Sequence, residues 1–212
     1  MRIDFVSDVT CPWCAIGFTA LERALQRLGG EVRVELHLQP FELNPDMPPE
    51  GEDIVRYMGR KYGLTADEVA ERRAVIRERG AAVGFDFGPR THVWNTFDAH
   101  RLLHWAGLEG RARELKRALL AAYHARGENP AAPEVLLRLA GEAGLDVERA
   151  RAVLEGGEFG PEVREKERHW QSLGIHSVPS VIVDGRHLIE GGQPVEVFEN
   201  ALRRIAAGRA GP

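Results

Sequence analysis

The sequence predicts an α/β chain in which a small strand-bearing layer is interrupted by a long helical block. Three observations carry this. The first forty residues read strand, helix, strand; periodicity is helical almost throughout residues 51–174; and strand character returns only near the C-terminal end, in a hairpin followed by one more helix.

Taken in order, residues 2–6 alternate polar and apolar side chains, and Ser7, Asp8, Val9 and Thr10 lead out of that strand. A helix is expected at once, because Pro12 suits a first helical position, Trp13, Ile16, Ala20, Leu21, Ala24, Leu25 and Leu28 recur at helical spacing, and Gly29-Gly30 ends the run. Val32, Val34, Leu36 and Leu38 alternate with charged or polar residues, predicting a half-buried second strand over residues 31–39 and a right-handed crossover unit. Proline-rich residues 40–49 read as a linker. Helices are then expected over 53–62, 65–83, 95–106, 111–125, 133–143, 146–154 and 161–173, with Thr65 and Glu68 as a capping box. Asp184-Gly185 joins two short strands as a hairpin, and residues 195–207 close the chain as a helix.

A chain of 212 residues with 43% hydrophobic content can bury its own core without staples. Its 28 basic and 32 acidic side chains, net −4, supply no field that favours nucleic acid or an anionic membrane, so neither is an expected partner. No apolar run approaches the length that spans a bilayer. The N-terminus reaches a cysteine pair too soon for a secretory leader, and a cytoplasmic location is expected.

The only two cysteines, Cys11 and Cys14, enclose Pro12 and Trp13 on the first turn of the first expected helix. A helix N-terminus favours an anionic sulfur, and the spacing lets the two sulfurs close a disulfide. Cys11 is then the attacking thiolate and Cys14 the resolving thiol, a redox-active pair needing no other cofactor. Two alternatives stay open: both cysteines as small core residues, or half of a zinc site. The second lacks a further cysteine pair; His100 and His104, four apart, are its only support, and no metal is expected. A second feature is Pro179, directly ahead of the apolar strand 180–183. A cis Val178–Pro179 bond would turn the Val178 backbone toward the cysteines as a substrate clamp; the alternative is an ordinary trans proline at a strand start.

These residues resemble the DsbA family of thioredoxin-like proteins, particularly its FrnE-like cytosolic branch. The resemblance rests on Ser7-Asp8, Cys11-Pro12-Trp13-Cys14 and Gly17, the segment 39–45, Asn95-Thr96, Ala99-His100-Arg101, Val178-Pro179 and Gly192-Gln193-Pro194, in that order over nearly the whole chain. It implies a thioredoxin-like fold with a large inserted helical domain, here residues 1–45 and 175–212 with 46–174 inserted. It also implies Cys11 as nucleophile, Cys14 as resolving thiol, a cis Pro179, and Val178-Pro179 binding substrate backbone. The expected activity is thiol–disulfide exchange on protein or small-molecule substrates, with glutathione a candidate electron donor or substrate. Kappa-class glutathione transferases and 2-hydroxychromene-2-carboxylate isomerases are related, so a glutathione-dependent isomerase or transferase remains an alternative, as does a redox-linked chaperone. Ser177 and Gly192 depart from the residues more common in the family at those places.

Among other residues, Pro12 and an exposed Trp13 are expected to meet substrate. Asn95, His100 and Arg101 either line the cleft facing Cys11 or serve as caps and solvated face residues. Asp8 either raises the Cys11 thiol pKa or caps a turn. Trp94, Trp105 and Trp170 are expected in the core, and 85–89 as a loop over the cleft or the end of a helix pair. The charged runs 71–73 and 165–168 read as solvated helical faces.

Overall fold

A computed structural model describes residues 1–209 of the chain. Strand β1 (Arg2–Ser7) leads through a short turn to α1 (Pro12–Leu28) and β2 (Glu35–Pro40). The strip β3 (Glu52–Asp53) precedes α2 (Ile54–Tyr62) and α3 (Ala66–Val83), and β4 (His92–Val93) precedes α4 (Phe97–Leu108). Then come α5 (Ala112–Leu120), a π-helical turn (Ala121–Ala125), α6 (Pro133–Glu142), α7 (Val147–Glu155) and α8 (Gly160–Ser172). The chain returns to the sheet as β5 (Ser180–Val183) and β6 (His187–Glu190) before α9 (Val195–Arg209).

The four-stranded sheet has the order β2-β1-β5-β6. β1 and β2 are parallel, with Arg2 opposite Glu35 and Ser7 opposite Pro40, and α1 provides the crossover that parallel neighbours require. β5 runs antiparallel to β1, Ile3 facing Val183 and Val6 facing Ser180. The β5–β6 connection places Asp184 and Gly185 both at positive φ, as a type I′ turn demands.

β1 is buried along five of its six residues because both its faces are covered. Ile3 and Phe5 pack with Ala15, Phe18 and Leu21 of α1 and Phe198 and Leu202 of α9; Val6 points to the other face, against Phe41, Trp170, Ile175 and Ile182. A second core is built by α4 to α7, from Leu102, Leu115, Leu119, Leu136 and Val153, and Val9 inserts into it from the β1–α1 turn. The element order and this packing give the thioredoxin-like α/β fold with high helical content. No described helix is long and apolar enough to cross a membrane.

Five expectations need correction. The second strand starts at Glu35 rather than residue 31, because its partner strand begins at Arg2, directly opposite Glu35. Pro40 closes β2 and residues 41–49 are irregular, but they are not a passive linker: Phe41 and Met47 are buried in two separate apolar clusters and Glu42 is 7% exposed. The helix expected over 111–125 changes to π geometry at Ala121. On α8, Glu167 is buried and Lys166 half-buried, so 165–168 is not a wholly solvated face. Trp105 and Trp170 are core residues, whereas Trp94 is half-buried and stacks on His92.

Candidate active site

Helix α1 begins where Cys11, in extended conformation, caps it; its carbonyl accepts from the N–H of Cys14 at 3.1 Å and of Ala15 at 3.3 Å, while Pro12 has no N–H to leave unpaired. No acidic residue occupies the first turn. Both cysteines are buried, Cys11 at 4% exposure and Cys14 at 0%. Their acidities are driven apart. The neighbouring Cys14 thiol first, then the Cys14 and Trp13 amides, lower the Cys11 pKa against the opposing effects of burial and Asp8. Burial pushes the Cys14 thiol well above its ordinary value, the Cys11 sulfur adds to that, and Lys116 pulls it back.

The Val178–Pro179 bond is cis, and the Val178 carbonyl stands 3.6 Å from Cys11 Sγ, which donates to it. Close approach of this loop, and of the β6–α9 loop, to α1 depends on one glycine each. A Cβ on Gly17 would lie 3.0 Å from Pro179 Cγ, and one on Gly192 would lie 2.9 Å from the Trp13 carbonyl oxygen. At Gly192 the gap is thus too small for a methyl group.

Asp8 is the hub beneath the turn. Its Oδ1 accepts from the Thr96 hydroxyl at 2.8 Å and the Thr10 N–H at 3.3 Å, its Oδ2 from the Leu43 N–H at 2.8 Å and the Thr10 hydroxyl at 3.1 Å. His100 Nε2 stands 3.6 Å from Oδ1, an electrostatic contact rather than a hydrogen bond. Burial alone would raise the Asp8 pKa, but the His100 ring, the Leu43 N–H and the Thr96 hydroxyl together hold it below the usual range. Asp8 therefore has both properties weighed from the sequence: it pins the turn, and its charge works against the Cys11 thiolate.

The turn is held from a second side by the π segment, a geometry that shifts side-chain direction within a helix. His124, 0% exposed, donates from Nε2 to the Val9 carbonyl at 2.9 Å, and its Nδ1 accepts from Arg90 at 3.3 Å. Burial and the Arg90 charge drive its pKa well below the ordinary value, so the ring is neutral and this tautomer is fixed by its partners. Arg90 also donates to the Thr10 carbonyl at 3.3 Å. Phe85 and Phe87 pair at 4.8 Å and meet the His124 ring edge-on, so segment 85–89 buttresses the π turn instead of covering the cleft.

A cleft of about 600 Å³ opens beside Cys11, between the turn, α2, α3 and the 176–178 loop. Of the residues singled out in the sequence, Cys11, Pro12, Trp13 and Val178 line it. Cys14 and Pro179 sit behind that surface, one fully buried on α1 and the other against Gly17. Asn95 and His100 do not line the cleft. Asn95 accepts from the Phe97 N–H at 2.8 Å and donates to the Pro45 carbonyl at 3.1 Å; His100, 3% exposed, faces Asp8. Arg101 is neither a cap of its own helix nor solvated: 4% exposed, it donates to the last carbonyls of α7 at Val153 and Leu154 and to Asp98. Among the described residues no cluster of three or more His, Cys, Asp or Glu side chains is placed to hold a metal ion.

Sequence reasoning missed Tyr57, Arg73 and Arg90 on the cleft wall and Lys116 behind the cysteines. Only Lys116 left a readable signal: it occupies an apolar position between Ala112 and Leu120 on a helix whose other inward residues are leucine.

The DSBA-like thioredoxin domain matches residues 2–203. The chain belongs to the DsbA-like thioredoxin family. A probable DsbA oxidoreductase from Streptomyces coelicolor is 34% identical, with a TM-score of 0.91 over 100% of this chain and 92% of that one. The uncharacterised protein YwbO of Bacillus subtilis is 27% identical over 206 residues, 95% of this chain and 96% of its own. More distantly, the cytosolic disulfide reductase DsbM of Pseudomonas aeruginosa, solved with GSH, shares the fold at 18% identity and a TM-score of 0.67, with 98% and 100% of the two chains covered. Membership places this DsbA-like protein in general among thiol–disulfide oxidoreductases and isomerases.

Proposed function

We propose that this DsbA-like protein exchanges dithiols and disulfides through Cys11 and Cys14. The observation that carries the reading is the split between the two sulfurs: Cys11, capping α1 at the cleft, has its pKa lowered, while Cys14 one turn deeper is kept protonated by burial. The Cys11 thiolate attacks one sulfur of a substrate disulfide, giving a mixed disulfide and a leaving thiolate. Cys14, once deprotonated, attacks Cys11 Sγ and releases the second thiolate, leaving the Cys11–Cys14 disulfide; the reverse sequence oxidises a dithiol. Pro12 and Trp13 form the surface on which the substrate rests, and the Val178 backbone lies beside the reacting sulfur, with Pro179 holding that loop against α1. Asn95 and His100 act as supports of the site rather than as substrate contacts. Glutathione is the candidate small thiol, as donor or as substrate, and a reducing, cytoplasmic setting would favour work as a reductase or isomerase.

The test is equilibration in graded glutathione buffers, with free thiols alkylated and counted by mass. Wild type is expected to lose both thiols together in one reversible two-electron step, and Cys14→Ser to accumulate a mixed disulfide on Cys11. A pair that never closes, with glutathione-dependent activity surviving Cys14→Ser, would instead establish a one-sulfur isomerase or transferase.

A further inference from the structure

The cleft beside Cys11 has an unusual charge inventory for this chain. Its lining includes Arg72, Arg73 and Arg90 but no aspartate, glutamate or lysine, although acidic residues outnumber basic ones overall, 32 to 28. Many arginines elsewhere are matched: Arg101, also buried, pairs with Asp98, Arg113 and Arg117 share Glu22, Arg164 sits between Glu42 and Glu167, and Arg203 pairs with Glu31 and Glu199.

At the cleft this matching fails. Arg90 is 9% exposed, yet its partners are the Thr10 carbonyl, the neutral His124 ring and the face of Tyr123 at 5.3 Å, none of them anionic. Arg73, half-buried, donates to the Arg90 carbonyl and has the Arg90 and Arg77 charges near it; burial first and then those two cations lower its pKa, against smaller opposing effects of Tyr123 and of Asp53, with which it makes no ion pair. The Arg72 side chain, at the rim, makes no hydrogen bond or ion pair with any described residue. The Glu68 carboxylate one turn earlier is occupied by the Thr65 N–H and hydroxyl of the capping box. Buried guanidinium groups are ordinarily paired with carboxylates, because desolvation of an unpaired charge is costly. Most of the remaining wall is apolar, including Ile54, Met58, Val69 and Ile76, with Thr10, Asn44, His176 and Ser177 as further polar members, and the volume suits a small molecule rather than a folded chain.

We propose that this cleft is built for small disulfides in which one half carries a carboxylate on an apolar body. Arg73 and Arg90 receive the carboxylate, and Arg72 gathers such molecules at the rim. The proposal rests on the dithiol–disulfide exchange argued above and adds the substrate class. In the reducing direction the Cys11 thiolate forms a bond to the sulfur of the bound half and the other half leaves as a thiolate. Cys14 then displaces the bound half, so two electrons pass from the cysteine pair to the substrate, and the two cysteine protons go to the leaving thiolates or solvent.

The test compares two aromatic disulfides on the reduced protein, the anionic dithiobis(nitrobenzoate) and the uncharged dithiodipyridine. Second-order rate constants are expressed as the anionic-to-neutral ratio relative to free cysteine. Wild type is expected to exceed the free-cysteine ratio by about tenfold or more at low salt. Arg72→Glu should cut that excess severalfold with the rim contribution fading as salt rises, and Arg73→Gln should cut it at any salt. A wild-type ratio equal to that of free cysteine, or an excess untouched by Arg72→Glu, overturns the proposal while leaving disulfide exchange intact. Failure of Cys11 to react with either disulfide would instead refute the exchange reading and the substrate class together. Arg72 is exposed, so its variant stays informative even if Arg73→Gln disturbs the fold.

Discussion

Replacing Asp8 with asparagine should weaken the fold and sharpen the thiol at the same time. An asparagine keeps one acceptor oxygen and gains two donor hydrogens. With the amide nitrogen at the Oδ2 position it would face the Leu43 N–H, which cannot turn away. At the Oδ1 position it faces the Thr96 hydroxyl, which can rotate to accept, and only the Thr10 N–H, the longest of the four bonds at 3.3 Å, is orphaned. One buried donor without a partner costs roughly 1–3 kcal/mol, and the remaining bonds lose their charge assistance at about 1 kcal/mol, with some relief from no longer burying a charge. A net loss of about 1–3 kcal/mol at neutral pH follows, read by urea unfolding. The sign with pH is fixed: the Asp8 pKa in the folded protein lies below its ordinary value, so its contribution is present above the unfolded carboxylate range and is lost as pH falls through the folded pKa. The gap between wild type and variant should therefore close in acid. Meanwhile the Cys11 thiol, relieved of the Asp8 charge, should titrate at lower pH, as measured by alkylation rate against pH. A destabilisation under about 0.5 kcal/mol, or a Cys11 pKa unmoved or raised, would refute this account of the turn.

Two further outcomes follow from buried charges. Burial and the neighbouring Glu167 raise the Glu42 carboxyl to about 8 despite Arg164, so folding takes up a proton and stability falls as pH rises from the unfolded value of 4.5 toward 8. Glu42→Gln should therefore gain on wild type across that window, by on the order of 1–2 kcal/mol at its alkaline end after allowing for solvent screening; thermal unfolding at several pH values checks it, and a constant difference contradicts it. Lys116, 1% exposed, lowers the Cys14 thiol pKa, so Lys116→Met should lengthen the life of the mixed disulfide on Cys11 by about three- to tenfold with little loss of stability. Quenched mass analysis reads this; a slower first attack with unchanged resolution would show that the lysine acts on the wrong sulfur for this reasoning.

The parts of this molecule legible in the sequence are those with a local periodic signal. Most helix ends can be read to within two residues, because apolar spacing and glycine stops mark them, and Pro12, Cys11 and Gly29 delimit α1. What escaped was set by distant partners. Val32 and Val34 alternate as a strand does, yet no β1 backbone lies opposite them. β3 and β4 are two residues each, too short to carry a period. The π turn follows α5 without a change in pattern, and its effect, aiming His124 at the Val9 carbonyl, joins residues 115 apart. Of the site, the sulfur pair and the Val178–Pro179 loop were readable as motifs. The cleft wall was not, since Arg73 and Arg90 look like any surface arginine until α3 and the 88–91 segment are placed against the turn.

The sheet order has a consequence for how tightly different parts of the site are held. β1 lies between β2 and β5, and Cys11 follows it by four residues, so the mount of the redox centre can be freed only by breaking ladders to segments near residues 38 and 181 together. The opposite wall is differently made: of the eighteen residues of α3 only Val69, Gly80 and Val83 are buried, and β3–β4 is a two-residue strip. Amides of Phe5 and Val6 should therefore exchange with solvent deuterium only through global unfolding, and those of α3 through local opening. The nucleophile stays on a fixed anvil while the facing wall breathes, which would let one sulfur geometry serve guests of several sizes.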